Sequence, residues 1–188
     1  MLTYFKMAER RNILEEIIIP EGIEAKIEDN ILKLKKGEDE LKRVLNKKIN
    51  IKIENNKIIL EVKKTTKKEK KIFWTLYAHI KNMIKGLEEG FKYKLQIVSV
   101  HFPITASIEN NEIIIKNFLG EKKERKEKII PNVNIDINKD IIEISSKFIE
   151  SAGQMAANLE KLTKIRKKDR RIFQDGIYIT EKPRRKFL

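Results

Sequence analysis

The stretch IEAKIEDNILKLKK, residues 23–36, alternates apolar and polar side chains on both sides of Asp29-Asn30. Alternation at period two marks a half-buried strand, and an Asp-Asn pair between two such runs marks a tight turn. The stretch therefore reads as a β-hairpin with one buried face. The same pattern returns downstream. KINIKIENNKIILEV (Lys48–Val62) alternates around Asn55-Asn56, TASIENNEIIIKN (Thr105–Asn117) around Asn110-Asn111, and VNIDINKDIIEIS (Val133–Ser145) around Asn138 to Asp140. Aligning Ile27 with Ile108, Ile31 with Ile113, Ile53 with Ile137 and Ile58 with Ile141 gives offsets of 81, 82, 84 and 83 positions. A nearly constant offset through hairpin, hairpin and helix indicates an internal duplication.

Each pair of hairpins is followed by a helical pattern. In KKIFWTLYAHIKNMIKGLEEG (Lys70–Gly90), Ile72, Leu76, Ile80, Ile84 and Leu87 recur at helical spacing, with Phe73, Tyr77 and Met83 widening the stripe and Gly90 as the stop. KLQIVSV (Lys94–Val100) is strand-like. A second helix is expected from about Ser151, where Ser151 and Gln154 have capping-box spacing, with Met155, Leu159 and Leu162 on one face beside Ala152 and Ala156. Each half is then one small, mostly antiparallel sheet covered by one helix. This is an α+β fold of two similar domains. The expected boundaries are an N-terminal extension over 1–16, a first domain over 17–90, a second over 91–182 and a basic tail over 183–188. Residues before Pro20 lie outside the repeat and receive no structure.

The chain has 188 residues, and its 42 Lys and Arg outnumber its 28 Asp and Glu, for a formal net charge of +14. Charged residues make up 37 % of the chain, against about 25 % in ordinary domains. Such an excess favours polyanionic partners, nucleic acid first and an acidic membrane surface second. The charge is concentrated. KKTTKKEKK (Lys63–Lys71) has six basic residues and one acidic, and Glu160–Leu188 has eleven basic and four acidic. The first cluster reads either as a solvated strand-to-helix turn or as a contact surface. The second reads either as a solvated helix end whose cations complement the dipole or as a phosphate grip, because Arg forks suit phosphate oxygens. Pro183 argues against a helix or central strand continuing there.

The chain contains no cysteine, which excludes disulfides, thiol catalysis and Cys-based zinc sites. No apolar run approaches the ~20 residues of a membrane span, and the opening MLTYFKMAERRNILEE lacks the apolar segment of a signal peptide. His79 and His101 are the only histidines. Both read as structural, and neither has a visible partner for a triad or metal site. The seven glycines form no phosphate loop. Glu38-Asp39-Glu40 reads as a solvated turn, and Trp74 as core or interface. Nothing assembles a nucleophile, a base and an oxyanion hole, so no enzyme, metal, cofactor or small-molecule substrate is expected.

Four segments carry a family resemblance: HIKNMIKGLEEGFKYKL (His79–Leu95), HFPI (His101–Ile104), NFLGEK (Asn117–Lys122) and GQMAANLEKLTKIRKKDRRIFQDGIYITEK (Gly153–Lys182). Together they resemble the universal large-subunit ribosomal protein six family in its archaeal and eukaryotic form, with RRIFQDGIY closer to the archaeal variant. The resemblance covers about residues 17–182. It implies two similar α+β domains, no enzymatic activity and a place in the cytoplasmic ribosome. The implied partners are large-subunit rRNA near the sarcin-ricin region and the factor-stalk base, and neighbouring large-subunit ribosomal proteins.

The resemblance makes the second domain the main rRNA-binding part. Carried over, the contacts are Lys164, Arg166, Lys167, Lys168, Arg170 and Arg171, with Lys122, Lys123 and Arg125 in the loop after NFLGEK. Arg184, Arg185 and Lys186 extend the same basic zone. Two places depart from the family. KKGEDE at residues 35–40 replaces a Gly-Pro-Lys-Gly type turn, so a different local turn and no RNA contact are expected, and the tail PRRKFL has no counterpart.

The segment IRKKDRRIFQDGIY (Ile165–Tyr178) is expected to take its order from rRNA. Ile172, Ile177 and Tyr178 pack back as an edge element, and Phe173 joins the core or, less favoured, stacks on a base. Asp175-Gly176 reads as a turn. The rival readings are an RNA-binding module or RNA chaperone outside the ribosome, a nucleic-acid enzyme without visible metal carboxylates, and a membrane-surface protein whose helix stripes are already committed to sheets.

Overall fold

The computed structural model describes residues 12–46, 48–54, 56–63, 66–183 and 185–186, with side chains as far as Pro183. The chain divides into two compact units at Glu88/Glu89.

The first unit holds β1 (Ile13–Ile18), β2 (Glu24–Glu28), β3 (Ile31–Lys36), β4 (Asp39–Val44), β5 (Asn50–Glu54), β6 (Lys57–Val62) and α1 (Lys67–Glu88). They form two antiparallel sheets, ordered β1-β6-β5 and β2-β3-β4. Helix α1 packs on β6 of one sheet and β3 of the other. Period-two alternation explains the core. Leu32 and Leu34 of β3 and Ile58 and Leu60 of β6 are fully buried, opposite Phe73 and Ile80 of α1. The first turn adopts positive φ at both Asp29 (46°) and Asn30 (65°), as a two-residue hairpin loop matched to strand twist requires.

The second unit holds β7 (Phe91–Val98), β8 (Thr105–Glu109), β9 (Glu112–Lys116), a 3-10 turn (Phe118–Gly120), β10 (Arg125–Lys128), β11 (Asn134–Asn138), β12 (Ile141–Ser146), α2 (Ile149–Leu162), β13 (Gly176–Lys182) and β14 (Arg185–Lys186). One sheet runs β10-β9-β8 and the other β11-β12-β7-β13-β14. Helix α2 packs on β7, β12 and β13 of the larger sheet and on β10 of the smaller. Its Ala152, Met155, Ala156 and Leu159 are fully buried. The two large side chains among them contribute about 1.5–3 kcal/mol each by burial.

The fold is α+β, and the duplication reaches individual bonds. The Leu45 N–H binds the Asn30 carbonyl at 2.8 Å and the Ile129 N–H binds that of Asn111 at 3.0 Å. The Ile19 N–H binds the Asn56 carbonyl at 2.9 Å and the Ile97 N–H binds that of Asp140 at 2.7 Å. Two of the aligned pairs slip by one residue. Glu28 faces Ile31 across its turn and Glu109 faces Glu112, so the counterpart of Ile113 is Leu32, not Ile31. By the same register Ile58 corresponds to Ile142, not Ile141. A one-residue slip puts every side chain on the opposite face.

Other expectations are corrected. Residues 13–16 are not an extension, because β1 begins at Ile13 and pairs with β6 as β7 pairs with β12. Strands β4 and β10 carry no period-two signal in the sequence, since their side chains are mostly charged. Asp39 and Glu40 lie in β4, joined to β3 by Gly37-Glu38, with Gly37 at φ 62°. Helix α1 starts three residues early because Thr66 and Glu69 form a reciprocal capping box: the Thr66 N–H donates to the Glu69 carboxylate at 2.8 Å, and the Glu69 N–H donates to Thr66 Oγ1 at 3.3 Å. The capping box expected at Ser151 and Gln154 does not form; both lie inside α2, where Gln154 donates to Asn158. Strand β13 is an edge over Gly176–Ile179, where it pairs with β7 alone, and only its end at Glu181 and Lys182 is covered by β14. The tail backbone at 185–186 is therefore part of the sheet.

Candidate nucleic-acid interface

The basic segment after α2 is a loop anchored at both ends. Buried Thr163 donates its hydroxyl to the Leu159 carbonyl (3.3 Å) and accepts the Ile177 N–H (2.9 Å), tying the helix end to the start of β13. Ile165 is buried just after it, and Asp175 and Ile177 are buried at the return. Between these anchors, residues 166–172 are all exposed.

The return anchor is Asp175. One carboxylate oxygen accepts the Val100 and His101 backbone N–H groups at 2.8 and 2.9 Å, and the other lies 2.6 Å from His101 Nδ1. Burial opposes the charge, but the hydrogen bonds from His101 and Val100 outweigh it and hold the carboxyl at about 2. The His101 ring stacks on Phe173 at 4.9 Å, and Lys168 Nζ lies 4.4 Å from the Phe173 centroid on the loop side. Within the loop, Asp169 accepts the Arg171 N–H at 2.9 Å and pairs with its guanidinium at 3.2 Å. Those hydrogen bonds hold its carboxyl below the usual range.

Of the loop's cations, Arg171 pairs with Asp169 of the same chain, while Asp175 is engaged by Val100 and His101. Asp175 is an anchor between two distant segments, not merely a turn residue. Ile172 does not pack back but is exposed, as Tyr178 partly is, while Phe173 packs against the core.

The loop after NFLGEK meets the end of α2. Strands β3 and β4 are joined by two residues, whereas the corresponding β9 and β10 are joined by residues 117–124. This longer connection turns through Asn117 and Leu119, both at positive φ. With the α2 exit it bounds a cleft of about 610 Å³ lined by Phe118, Glu121, Arg125, Lys161, Lys164, Arg166 and Lys168, among others. Lys122 and Lys123 are exposed on the same connection.

Arg125 serves the fold within this cleft. Its guanidinium forks onto Glu121 at 2.6 and 2.9 Å, donates to the Leu162 carbonyl at the α2 C-terminus, and lies 4.3 Å from the Phe118 centroid. The Arg125 hydrogen bond is the main reason the Glu121 carboxyl sits below its ordinary value. Arg125 thus braces the helix end, where a cation is favourable. Arg125→Ala is expected to lower the stability of the second unit by about 1–2 kcal/mol, and Arg125→Lys to recover little because it cannot form the fork. Urea unfolding followed by circular dichroism checks this. Unchanged stability in Arg125→Ala would mean that the group is not a brace.

The cleft brings Lys164, Arg166 and Lys168 together with Arg125, and Lys122 and Lys123 flank it. Lys167, Arg170 and Arg171 project from the exposed loop. The tail backbone at 185–186 pairs with Glu181 and Lys182, at the far end of β13 from this loop. Seven residues of β13, at about 3.3 Å each, put roughly 20 Å between Gly176 and the turn at Pro183. Arg184 and the side chains of Arg185 and Lys186 lie outside the described residues. Sequence reasoning missed Phe118, Glu121, Lys161 and Thr163. Their role depends on two segments meeting, and only the Phe118 and Glu121 positions within NFLGEK hinted at it.

Comparison with known proteins agrees with this architecture. A family model described as Ribosomal protein L6 matches residues 19–90 and 102–176, one stretch in each unit. The chain is 43 % identical over 171 residues to the large ribosomal subunit protein uL6 of Methanococcus vannielii, covering 90 % of this chain and 94 % of that one. It is 39 % identical over 173 residues to the uL6 protein of Sulfurisphaera tokodaii, covering 91 % and 93 %. The chain belongs to the ribosomal protein L6 family.

Proposed function

We propose that the loop at 166–172 and the adjoining cleft form the surface through which the second unit grips large-subunit rRNA. The chain is a structural, non-enzymatic constituent of the large ribosomal subunit, with its place in the cytoplasmic ribosome. The finer reading puts this surface beside the sarcin-ricin region and near the base of the factor-recruiting stalk, with neighbouring large-subunit proteins as further partners.

The observation that carries the proposal is convergence. Two segments about 40 residues apart in sequence meet at one cleft, which Lys164, Arg166 and Lys168 of one line together with Arg125 of the other, whose connection also carries the exposed Lys122 and Lys123. Phosphate contacts of this kind position a protein without reading sequence. Recognition then rests on the shape and 2′-hydroxyls of a folded RNA. A loop already anchored by Asp175 presents its cations without a large ordering cost at binding.

The test is affinity for a folded sarcin-ricin fragment of large-subunit rRNA as a function of salt. The Arg166→Ala, Lys168→Ala, Arg170→Ala, Arg171→Ala variant is expected to bind about ten- to a hundredfold more weakly. Its log–log salt slope should fall by roughly 0.7–0.9 for each lost phosphate contact. Equal affinity and slope in the two proteins would remove the loop from the interface.

A further inference from the structure

We infer that the solvent face of α1 is a second RNA-contact surface, carried by the first unit, which takes a phosphate chain with an unpaired base stacked on Trp74. This goes beyond the reading above, which uses the second unit alone. The exposed positions of α1 include Lys67, Lys70, Lys71, Trp74, Lys81 and Lys85. At 3.6 residues per turn these form one stripe about 27 Å long. Trp74 is 41 % exposed although it is the chain's only tryptophan. Edge contacts to Phe73 and Tyr77, both with ring centroids 5.5 Å away, set its orientation. The exposed Thr75 and Ala78 beside it are small, and Lys81 reaches over Tyr77 at 4.9 Å. An aromatic platform flanked by cations is the arrangement that stacks a base while holding its backbone.

A purely solubilising face fits less well, for two reasons. Lys67, Lys68, Lys70 and Lys71 occupy the N-terminal end of α1, where the helix dipole disfavours cations. A bound polyanion relieves that repulsion. The duplication does not account for the stripe either. The matching helix α2 exposes Glu150, Gln154, Glu160 and Lys161, with no aromatic and no lysine row.

Trp74 supplies the readout. Full-length protein titrated with protein-free large-subunit rRNA is expected to show saturable quenching of indole emission. Trp74→Ala should weaken binding on the order of tenfold, while Trp74→Phe stays within about threefold of wild type because it keeps a stacking ring. Lys67→Ala, Lys70→Ala, Lys71→Ala should reduce the salt slope by about 2. All these positions are exposed, and circular dichroism checks that the variants fold. Emission unchanged at saturating RNA, with a wild-type slope in the lysine variant, would overturn the inference. So would equal quenching by poly-glutamate at matched charge, which would make the face a dock for acidic protein. The second-unit loop variant separates the two readings. If it binds rRNA like wild type while Trp74 is quenched, the α1 surface stands and the loop proposal falls.

Discussion

Asp175→Ala lowers the stability of the second unit by about 3 kcal/mol, measured by urea unfolding. The side chain is fully buried and serves three donors: two backbone N–H groups and the His101 ring. Removing the acceptor leaves three part-buried donors without their partner, at about 1 kcal/mol each. Asp175→Asn keeps one acceptor oxygen and should lose about half as much. The basic loop should also fray, because Asp175 ends it and Phe173 leans on His101. The same carboxylate sets an acid limit. Its folded value of about 2 lies below the ~3.9 of an unfolded Asp. Its contribution is therefore fully present above pH 4 and is lost as pH falls from about 4 to about 2, roughly 2 kcal/mol in all. Glu121, held low by Arg125, acts in the same direction. An acid limb of the same steepness in wild type and Asp175→Ala would remove Asp175 as its source.

Phe118→Ala costs the second unit about 3–5 kcal/mol. The ring is 1 % exposed, belongs to the core under α2, and carries the Arg125 guanidinium on its outer face. Truncation opens a cavity and removes the support of the brace to Leu162. The loss should therefore exceed that of Arg125→Ala and should include the Arg125 contribution, so the double variant falls short of the sum of the two. Phe118→Leu, which keeps most of the volume, should cost about 1–2 kcal/mol. A loss below 1 kcal/mol in Phe118→Ala would show that the site collapses around the missing ring.

Much of this was legible in the sequence. The α+β class, the duplication, the four hairpins and the buried stripes of both helices follow from alternation, turn residues and helical spacing. Those signals are local, and they point the same way at every level. The family resemblance followed from motifs spread across both halves. What failed was also local in origin. Strands β4 and β10 are mostly charged, so period two did not show. Two aligned isoleucine pairs are off by one because neighbouring isoleucines share identity, whereas pairing across the turn decides the face. The Thr66–Glu69 box was hidden in a lysine run.

The sequence alone determined that this chain makes two copies of a unit of paired hairpins and one helix and carries a net charge suited to a polyanion. Periodicity and composition are properties of neighbouring residues and survive without coordinates. Only the tertiary structure decided how the cations are used. It set Arg125 against Glu121, Leu162 and Phe118, and tied Asp175 to Val100 and His101, some 75 residues away. It left Arg166, Lys168 and Arg170 exposed to solvent and lined the lysines of α1 up beside Trp74. A charge acts through whatever lies within a few ångströms of it, and for these residues that neighbour comes from a distant part of the chain or from the far side of a helical turn.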